Sequence, residues 1–300
     1  MSQLIECIPN FSEGRRNGVI EAIAETIKSV PDVILLDYSS DHSHNRTVFT
    51  FVGKPESVIE AAFLSAKKAS ELIDMNVHTG EHPRMGAVDV IPFVPVKNVT
   101  MDECINFSKQ LGERIASDLA IPVFLYEESA ANAERKNLAN IRKGQFEGMR
   151  EKIKETQWKP DFGGQTIHPS AGVTAVGARM PLVAYNVNLN TSDLNIAKQI
   201  AKTIRESNGG LKYVKSIGVM LEKRNIAQVS INMTNYEGTP LYRVFELIKI
   251  EAQRYGVNVL GSEIVGLTPM NALIDAAKYY LKLESFNEKK QVLENCLLSN

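Results

Sequence analysis

Cysteine is scarce: Cys7, Cys104 and Cys296 are the three in 300 residues, and no two form a C-x-x-C pair. That spacing suggests neither a disulfide framework nor a cysteine zinc site. Charge of one sign is lacking as well, with 34 Lys and Arg against 35 Asp and Glu, a net charge of −1. Nothing therefore favours a broad nucleic-acid or membrane surface. No apolar run reaches membrane-spanning length, and the start, Met1-Ser2-Gln3-Leu4-Ile5-Glu6-Cys7, has neither a basic n-region nor a long apolar h-region. The chain reads as cytoplasmic, so triplets such as Asn45-Arg46-Thr47 carry no meaning for glycosylation. No G-x-G-x-x-G follows a strand and no G-x-S-x-G occurs, which argues against a Rossmann cofactor and a serine hydrolase. Gly172 to Arg179 approaches the phosphate-loop spacing but reads Ala-Arg where Lys-Ser/Thr is required, so no nucleoside triphosphate site is expected.

What is present is an ordinary apolar fraction, 44%, on a chain long enough for one large domain or two smaller ones. Periodicity divides the first half into strand, helix, strand, strand, helix, strand, at 4–9, 16–28, 33–38, 47–52, 56–73 and 88–96. Ile20, Ile23 and Ile27 share one helical face, as do Ile59, Ala62, Phe63 and Ala66. A helix at 101–119 and a strand at 123–126 enlarge this unit. The second half repeats the order at 182–189, 195–206, 217–221, 227–233, 241–255 and 257–265, followed by a helix at 270–283. Gly53-Lys54-Pro55 and Gly238-Thr239-Pro240 punctuate the two halves alike, proline suiting a first helical turn. The fold class expected is α+β, two ferredoxin-like βαββαβ subdomains (1–178 and 179–300) with helices on one face of each sheet. Residues 158–179, rich in Gly, Pro, Ser and Thr, read as an irregular boundary, and the charged stretch 127–154 as a solvated helical connection. The tail from 285 to 300 has Val292, Leu293 and Leu297 at helical spacing.

Two of the five histidines fall in Asn76-Val77-His78-Thr79-Gly80-Glu81-His82-Pro83-Arg84-Met85-Gly86-Ala87, between a helical stretch and an apolar strand. Histidine titrates near neutral pH, so it can take a proton and return it within one turnover. His78 to His82 also fits the H-x-x-E-H zinc pattern, which needs both rings on one helical face. Gly80 and Pro83 oppose a helix there, and no metal is expected. Asp41-His42-Ser43-His44-Asn45-Arg46 joins two strands; a polar turn would explain His42 and His44, whereas Asn45 and Arg46 stand at a strand entrance where a guanidinium can grip a carboxylate. Asn10-Phe11-Ser12-Glu13-Gly14 ends the first strand, with Ser12 placed to cap the helix that follows.

Together, Cys7-Ile8-Pro9-Asn10-Phe11-Ser12-Glu13-Gly14, Asn45-Arg46-Thr47, Gly80-Glu81-His82-Pro83-Arg84-Met85-Gly86-Ala87, Pro160-Asp161-Phe162-Gly163 and Gly261-Ser262-Glu263-Ile264-Val265-Gly266-Leu267 resemble the glutamate formimidoyltransferases, or formiminotransferases. The resemblance runs from Ser2 to about Leu283. It implies transfer of a formimidoyl group from N-formimidoyl-L-glutamate to N5 of tetrahydrofolate, closing histidine breakdown, in a homodimer whose two subdomains enclose the folate in a tunnel. It further implies His82 as the catalytic acid/base and a folate-lining segment Gly163-Gly164-Gln165-Thr166-Ile167-His168-Pro169-Ser170-Ala171-Gly172. Larger animal members fuse this unit to a cyclodeaminase domain; here a one-activity chain is implied, with a separate cyclodeaminase as a partner. Animal members carry an acidic residue in the loop where this chain reads Tyr38-Ser39-Ser40-Asp41, so the carboxylate orienting His82 is expected at Asp37 or Asp41. Asn10, Asn45, Arg46 and Arg84 are the candidates to hold the amino-acid substrate. Formyl transfer between 5-formyltetrahydrofolate and glutamate, or glycine in place of glutamate, would use the same folate site; a folate-binding protein without turnover is the reading from another class.

Overall fold

The computed structural model describes residues 3–298, and the chain divides into two compact units, 1–179 and 180–300. The first begins with β1 (Leu4–Cys7), β2 (Asn10–Phe11), α1 (Asn17–Lys28), β3 (Val33–Asp41), β4 (Arg46–Gly53), α2 (Pro55–Leu72) and β5 (Val88–Lys97). β1 pairs antiparallel with both β4 and β5, and β3 closes the far edge against β4. β2 continues the line of β1 between the same two neighbours. With β1 and β2 taken as one strand, the lateral order is 4-1-3-2, the arrangement of a βαββαβ layer.

Local chemistry explains the helices. α1 turns Ile20, Ile23, Ala24 and Ile27 onto the sheet, and α2 opens with Pro55 in its first turn and buries Val58, Ala61, Ala62 and Ala66. α3 (Met101–Leu119) starts at a reciprocal capping box between Thr100 and Glu103. Phe11, Phe49, Phe51 and Phe93 are among the largest side chains in the core they share, each about 1% exposed or less. Full burial of such a ring contributes roughly 1.5–3 kcal/mol, so these four anchor the central strands firmly.

Two corrections concern this unit. Residues 174–178 are not irregular: they form β7 (Thr174–Ala178), parallel to β5 on one side and to β6 (Val123–Glu127) on the other. All five are buried, and a strand covered on both faces shows no alternation for sequence reading to detect. The stretch 127–154 is likewise no plain solvated connection. It holds the short helices α4 (Ala133–Lys136), α5 (Leu138–Arg142) and α6 (Gln145–Lys152), and its Arg135, Ile141, Phe146 and Met149 are buried. Arg135 is paired inward with Asp161 at 2.8 Å.

The second unit contains β8 (Val183–Leu189), α7 (Leu194–Ile204), β9 (Val214–Leu221), β10 (Ile226–Met233), α8 (Leu241–Arg254) and β11 (Val259–Val265). Its sheet runs β11-β8-β10-β9, all antiparallel, which is again 4-1-3-2. Val183, Tyr185, Val187 and Leu189 alternate into a core with Ile200, Ile204, Val244 and Ile248 from the helices. α9 (Met270–Leu281), α10 (Glu288–Gln291) and α11 (Leu293–Leu298) complete the chain as described. Among the described residues no helix is long and apolar enough to cross a membrane.

Candidate active site

The loop between α2 and β5 is pinned at both ends. Ile73 and Met75 enter the core on one side and Met85 and Ala87 on the other, each at most 2% exposed. Between them Asn76, Val77, Thr79, Glu81 and Pro83 are exposed, His78, Gly80 and His82 are half-buried, and Arg84 turns inward. Gly80 lies so close to the hairpin that joins β3 to β4 that a Cβ there would meet the His44 carbonyl oxygen at 2.3 Å. Thr79 O accepts from Asn45 Nδ2 at 2.9 Å, and the Glu81 N–H donates to Ser43 O at 3.2 Å. On the opposite side Met75 N–H donates to Ser170 O at 2.8 Å and Ala87 N–H to Ala171 O at 2.9 Å. His82 is thus presented on a loop braced by the 41–46 hairpin and the 168–172 turn.

Behind it lies a buried ionic cluster. Asp89, the second residue of β5, is 0% exposed and accepts from Arg46 Nη1 at 2.9 Å, from Arg142 Nη2 and from the Met85 backbone N–H at 3.0 Å. Burial alone would raise the Asp89 carboxyl, but the Arg142 and Arg46 guanidinium groups hold it below its ordinary value. Asn10 Oδ1 accepts from Arg46 Nε at 3.1 Å and Nη2 at 2.6 Å, and Asn10 Nδ2 donates in turn to Ile8 O at 2.8 Å. Arg46 is therefore fixed along its whole edge.

Its Nη1 also lies 3.0 Å from His82 Nδ1, whose other neighbour is Pro83 O at 2.6 Å. A guanidinium only donates and a carbonyl only accepts, so one neutral tautomer suits each. With the proton on Nδ1 the ring donates to Pro83 and leaves Nε2 an open lone pair; with Nδ1 bare it accepts from Arg46 and Nε2 carries the proton. Burial, then Arg46 and Arg142, push His82 down to about 4, which leaves the ring neutral at pH 7.

Three expected site residues, His82, Arg46 and Asn10, thus meet in one cluster. Asn45, 7% exposed with φ +49°, is a tie: Oδ1 accepts the Gly14 N–H at 2.8 Å while its carbonyl lies 3.0 Å from His78 Nε2. Arg84 makes a bidentate pair with Glu147, Nη1 to Oε2 at 2.8 Å and Nη2 to Oε1 at 2.6 Å, and Nη1 also donates to Gln145 Oε1 at 2.9 Å. Asp37 is exposed on β3. Asp41 Oδ2 lies 2.9 Å from His44 Nδ1, and the His44 ring meets the His82 ring edge to face with centroids 5.9 Å apart.

The segment 163–172 divides in two. Gly163, Gly164, Gln165 and Thr166 are exposed, Ile167 is buried, and His168 to Gly172 form a tight turn in which each backbone N–H of that pair donates to the other's carbonyl. His168 Nδ1 accepts from Ala171 N–H at 2.9 Å and closes the turn. Gly172, with φ +72°, bridges Gly86, and a Cβ there would meet Met85 O at 2.3 Å. Pro169 O accepts from Asn76 Nδ2 at 2.9 Å. The second half of the segment therefore abuts the His82 loop.

Ser12 corrects an expectation: it caps no helix, donating instead to Gly86 O at 2.7 Å, while Glu13 Oε1 accepts from the Arg15 and Arg16 N–H groups ahead of α1 at 2.9 Å each. Sequence reasoning passed over Asp89, Arg142 and Glu147. Asp89 had a signal, a lone acid inside the apolar run from Ala87 to Val94. Arg142 and Glu147 had none, being charges among many in a charged stretch.

A neutral imidazole with one free nitrogen, backed by a fixed guanidinium, is suited to proton transfer. Residues 4–179 match the N-terminal subdomain of the formiminotransferase domain, and residues 184–296 match the formiminotransferase domain that follows it. The chain is 63% identical over 298 residues to the glutamate formimidoyltransferase of Streptococcus pyogenes serotype M1, covering 99% of this chain and 100% of that one. It is 50% identical to the glutamate formimidoyltransferase of Thermoplasma acidophilum, over 95% of this chain and 94% of the other. Against the formimidoyltransferase-cyclodeaminase of Rattus norvegicus it is 49% identical over 95% of this chain and 53% of that longer protein.

Proposed function

The chain belongs to the formiminotransferase family, and from that membership we propose that it is a glutamate formimidoyltransferase, moving the formimidoyl group of N-formimidoyl-L-glutamate to N5 of tetrahydrofolate and releasing L-glutamate. The observation that carries the reading is His82: half-buried, neutral at pH 7, with Nδ1 occupied by Arg46 and Pro83 and Nε2 left for substrate.

N5 of tetrahydrofolate is a secondary amine. It attacks the amidine carbon and forms a C–N bond, and the proton it sheds passes to Nε2 of His82. The bond from that carbon to the glutamate nitrogen then breaks, and Nε2 returns the proton to the leaving amine. General acid/base help of this kind accounts for roughly two to four powers of ten, so alignment of the two substrates supplies much of the remainder. The turn at 168–172 and the exposed backbone at 163–166 are our candidates for contact with the pterin. Asn10, Asn45, Arg46 and Arg84 remain our candidates near the amino-acid donor, with Arg46 and Asn10 acting through the placement of His82. Asp41 is the better placed of the two carboxylates considered for orienting the ring, since its partner His44 faces His82. A cytoplasmic homodimer working beside a separate cyclodeaminase completes the reading.

The test is turnover with each donor and acceptor, followed for wild type and His82→Ala. We expect 5-formimidoyltetrahydrofolate and glutamate as products and a fall of at least about a hundredfold in the variant. Equal rates for the two proteins, or activity with glycine alone, would overturn the assignment.

A further inference from the structure

The proton transfer just described makes no direct use of the Asp41 and His44 side chains, yet their geometry is specific. Asp41 Oδ1 accepts the His44 backbone N–H at 2.8 Å, and Oδ2 lies 2.9 Å from His44 Nδ1. One carboxylate thus fixes both the chain and the ring of His44. The two side chains are about half exposed, 53% and 46%, and a pair so open to water adds little to stability. Stability alone does not account for it.

The hairpin that carries the pair is pressed onto the loop of His82 by the Gly80 approach to His44 O and by the hydrogen bonds from Glu81 to Ser43 and from Asn45 to Thr79. The result is the ring contact: centroids 5.9 Å apart and planes at 83°. Among the described residues, the polar partners of the His82 ring, Arg46 and Pro83, both act at Nδ1, and they pull with opposite chemistry. Pro83 O attracts the ring when Nδ1 carries a proton, and Arg46 attracts it when Nδ1 is bare. The terminal torsion of histidine is soft, so a ring held at one atom by alternating partners turns as its protonation changes. A shuttle must accept and return a proton along the same line. It needs a third contact, away from Nδ1, that survives the change. An edge-to-face aromatic neighbour meets that need, because the contact depends on ring shape and not on a shared proton.

We propose that His44, locked by Asp41, is a positioning residue for the transfer, its ring holding the His82 imidazole so that Nε2 keeps one direction through the proton cycle. The proposal rests on the reading of His82 as the acid/base. It also predicts that an aromatic ring without nitrogens serves at position 44, whereas a proton-carrying role would forbid one.

The experiment compares full-length wild type with His44→Ala, His44→Phe, Asp41→Ala and His82→Ala, measuring kcat and KM for both substrates. His44→Ala is expected to lose on the order of tenfold in kcat, since misplacement by an ångström already costs up to a hundredfold, while both KM values stay within about twofold. His44→Phe recovers kcat to within about threefold of wild type. Asp41→Ala falls between the two. Wild-type kcat in His44→Ala overturns the proposal, as does a His44→Phe variant as slow as His44→Ala. Where His44→Ala fails to fold, Asp41→Ala carries the test, and unchanged kcat there is equally fatal. Full activity in His82→Ala would sink the proposed function itself; an inactive His82→Ala beside a fully active His44→Ala would sink the positioning role alone.

Discussion

Arg46 holds its Nη1 3.0 Å from Nδ1 of His82 while the same nitrogen donates to Asp89 at 2.9 Å. Burial first, and then this fixed positive charge beside the ring, push His82 down to about 4. Nuclear magnetic resonance of the ring should show it neutral through pH 6, with a midpoint that rises in Arg46→Gln as the second-largest cause of the shift is removed. The linked effect on folding has a definite sign. The folded midpoint is below the unfolded value of about 6.5, so the unfolded chain binds the proton first and stability falls as pH drops from about 6.5 through 4. Urea titrations across that window should show a steeper loss in wild type than in His82→Gln.

A base near 4 is a weak one, and binding of the donor should correct it. Two guanidinium groups, Arg46 and Arg142, stand against the single carboxylate of Asp89, so the cluster beside His82 is net positive. N-formimidoyl-L-glutamate brings two carboxylates, and negative charge near the cluster favours the imidazolium. The acid limb of kcat/KM, which reports the free enzyme, should therefore lie at lower pH than the acid limb of kcat, which reports the complex. Both profiles are to be corrected for ionisation of the free substrates. Coincident limbs would mean that the donor's charge never reaches His82.

Asp89 is the member of this cluster whose loss costs most. With its side chain 0% exposed, Asp89→Asn leaves two guanidinium groups facing a neutral amide. Breaking a buried pair in this manner costs about 3–5 kcal/mol. Urea midpoints should fall accordingly, and adding Arg142→Met to the variant should recover part of the loss, as expected for coupled neighbours. A loss under about 1 kcal/mol would show that water reaches the cluster and screens it.

These residues also show how far sequence reasoning carries. The order of helices and strands was legible because Gly53 and Pro55, and later Gly238 and Pro240, mark the joins, and because β4 and β10 alternate or run apolar in ways that only a strand does. β7 was hidden by its small residues and its two covered faces. The loop of His82 announced itself by residue type, as polar and titratable groups between two apolar elements. Its surroundings did not, because an arginine's type says nothing of its partner. Arg84 read as a grip for substrate, yet its guanidinium meets Glu147, a residue 63 positions further along the chain. Arg142 read as solvated, yet its side chain is 15% exposed and reaches Asp89. Pairing of distant charges is a property of the fold, and no local pattern encodes it.

The Arg84 pair leads to a sharper expectation about the donor. Arg84 is 9% exposed in its side chain, whereas its partner Glu147 is 64% exposed, so the guanidinium is fixed and the carboxylate can leave. Hydrogen bonding from Arg84 holds the Glu147 carboxyl below its ordinary value, and Glu147 stays charged and bound at neutral pH. The two oxygens thus occupy the place that a substrate carboxylate would take on a bidentate guanidinium. If Arg84 receives the donor, as we propose, glutamate from the substrate must displace Glu147, and the exchange weakens apparent binding. Glu147→Gln should then lower KM for N-formimidoyl-L-glutamate by about three- to tenfold, a change of up to about 1.4 kcal/mol, and leave KM for tetrahydrofolate unchanged. Arg84→Gln should raise the donor KM instead. A donor KM that moves in neither variant would remove Arg84 from the substrate site and leave it as a brace for the His82 loop, through its contacts with His78 and Gln145.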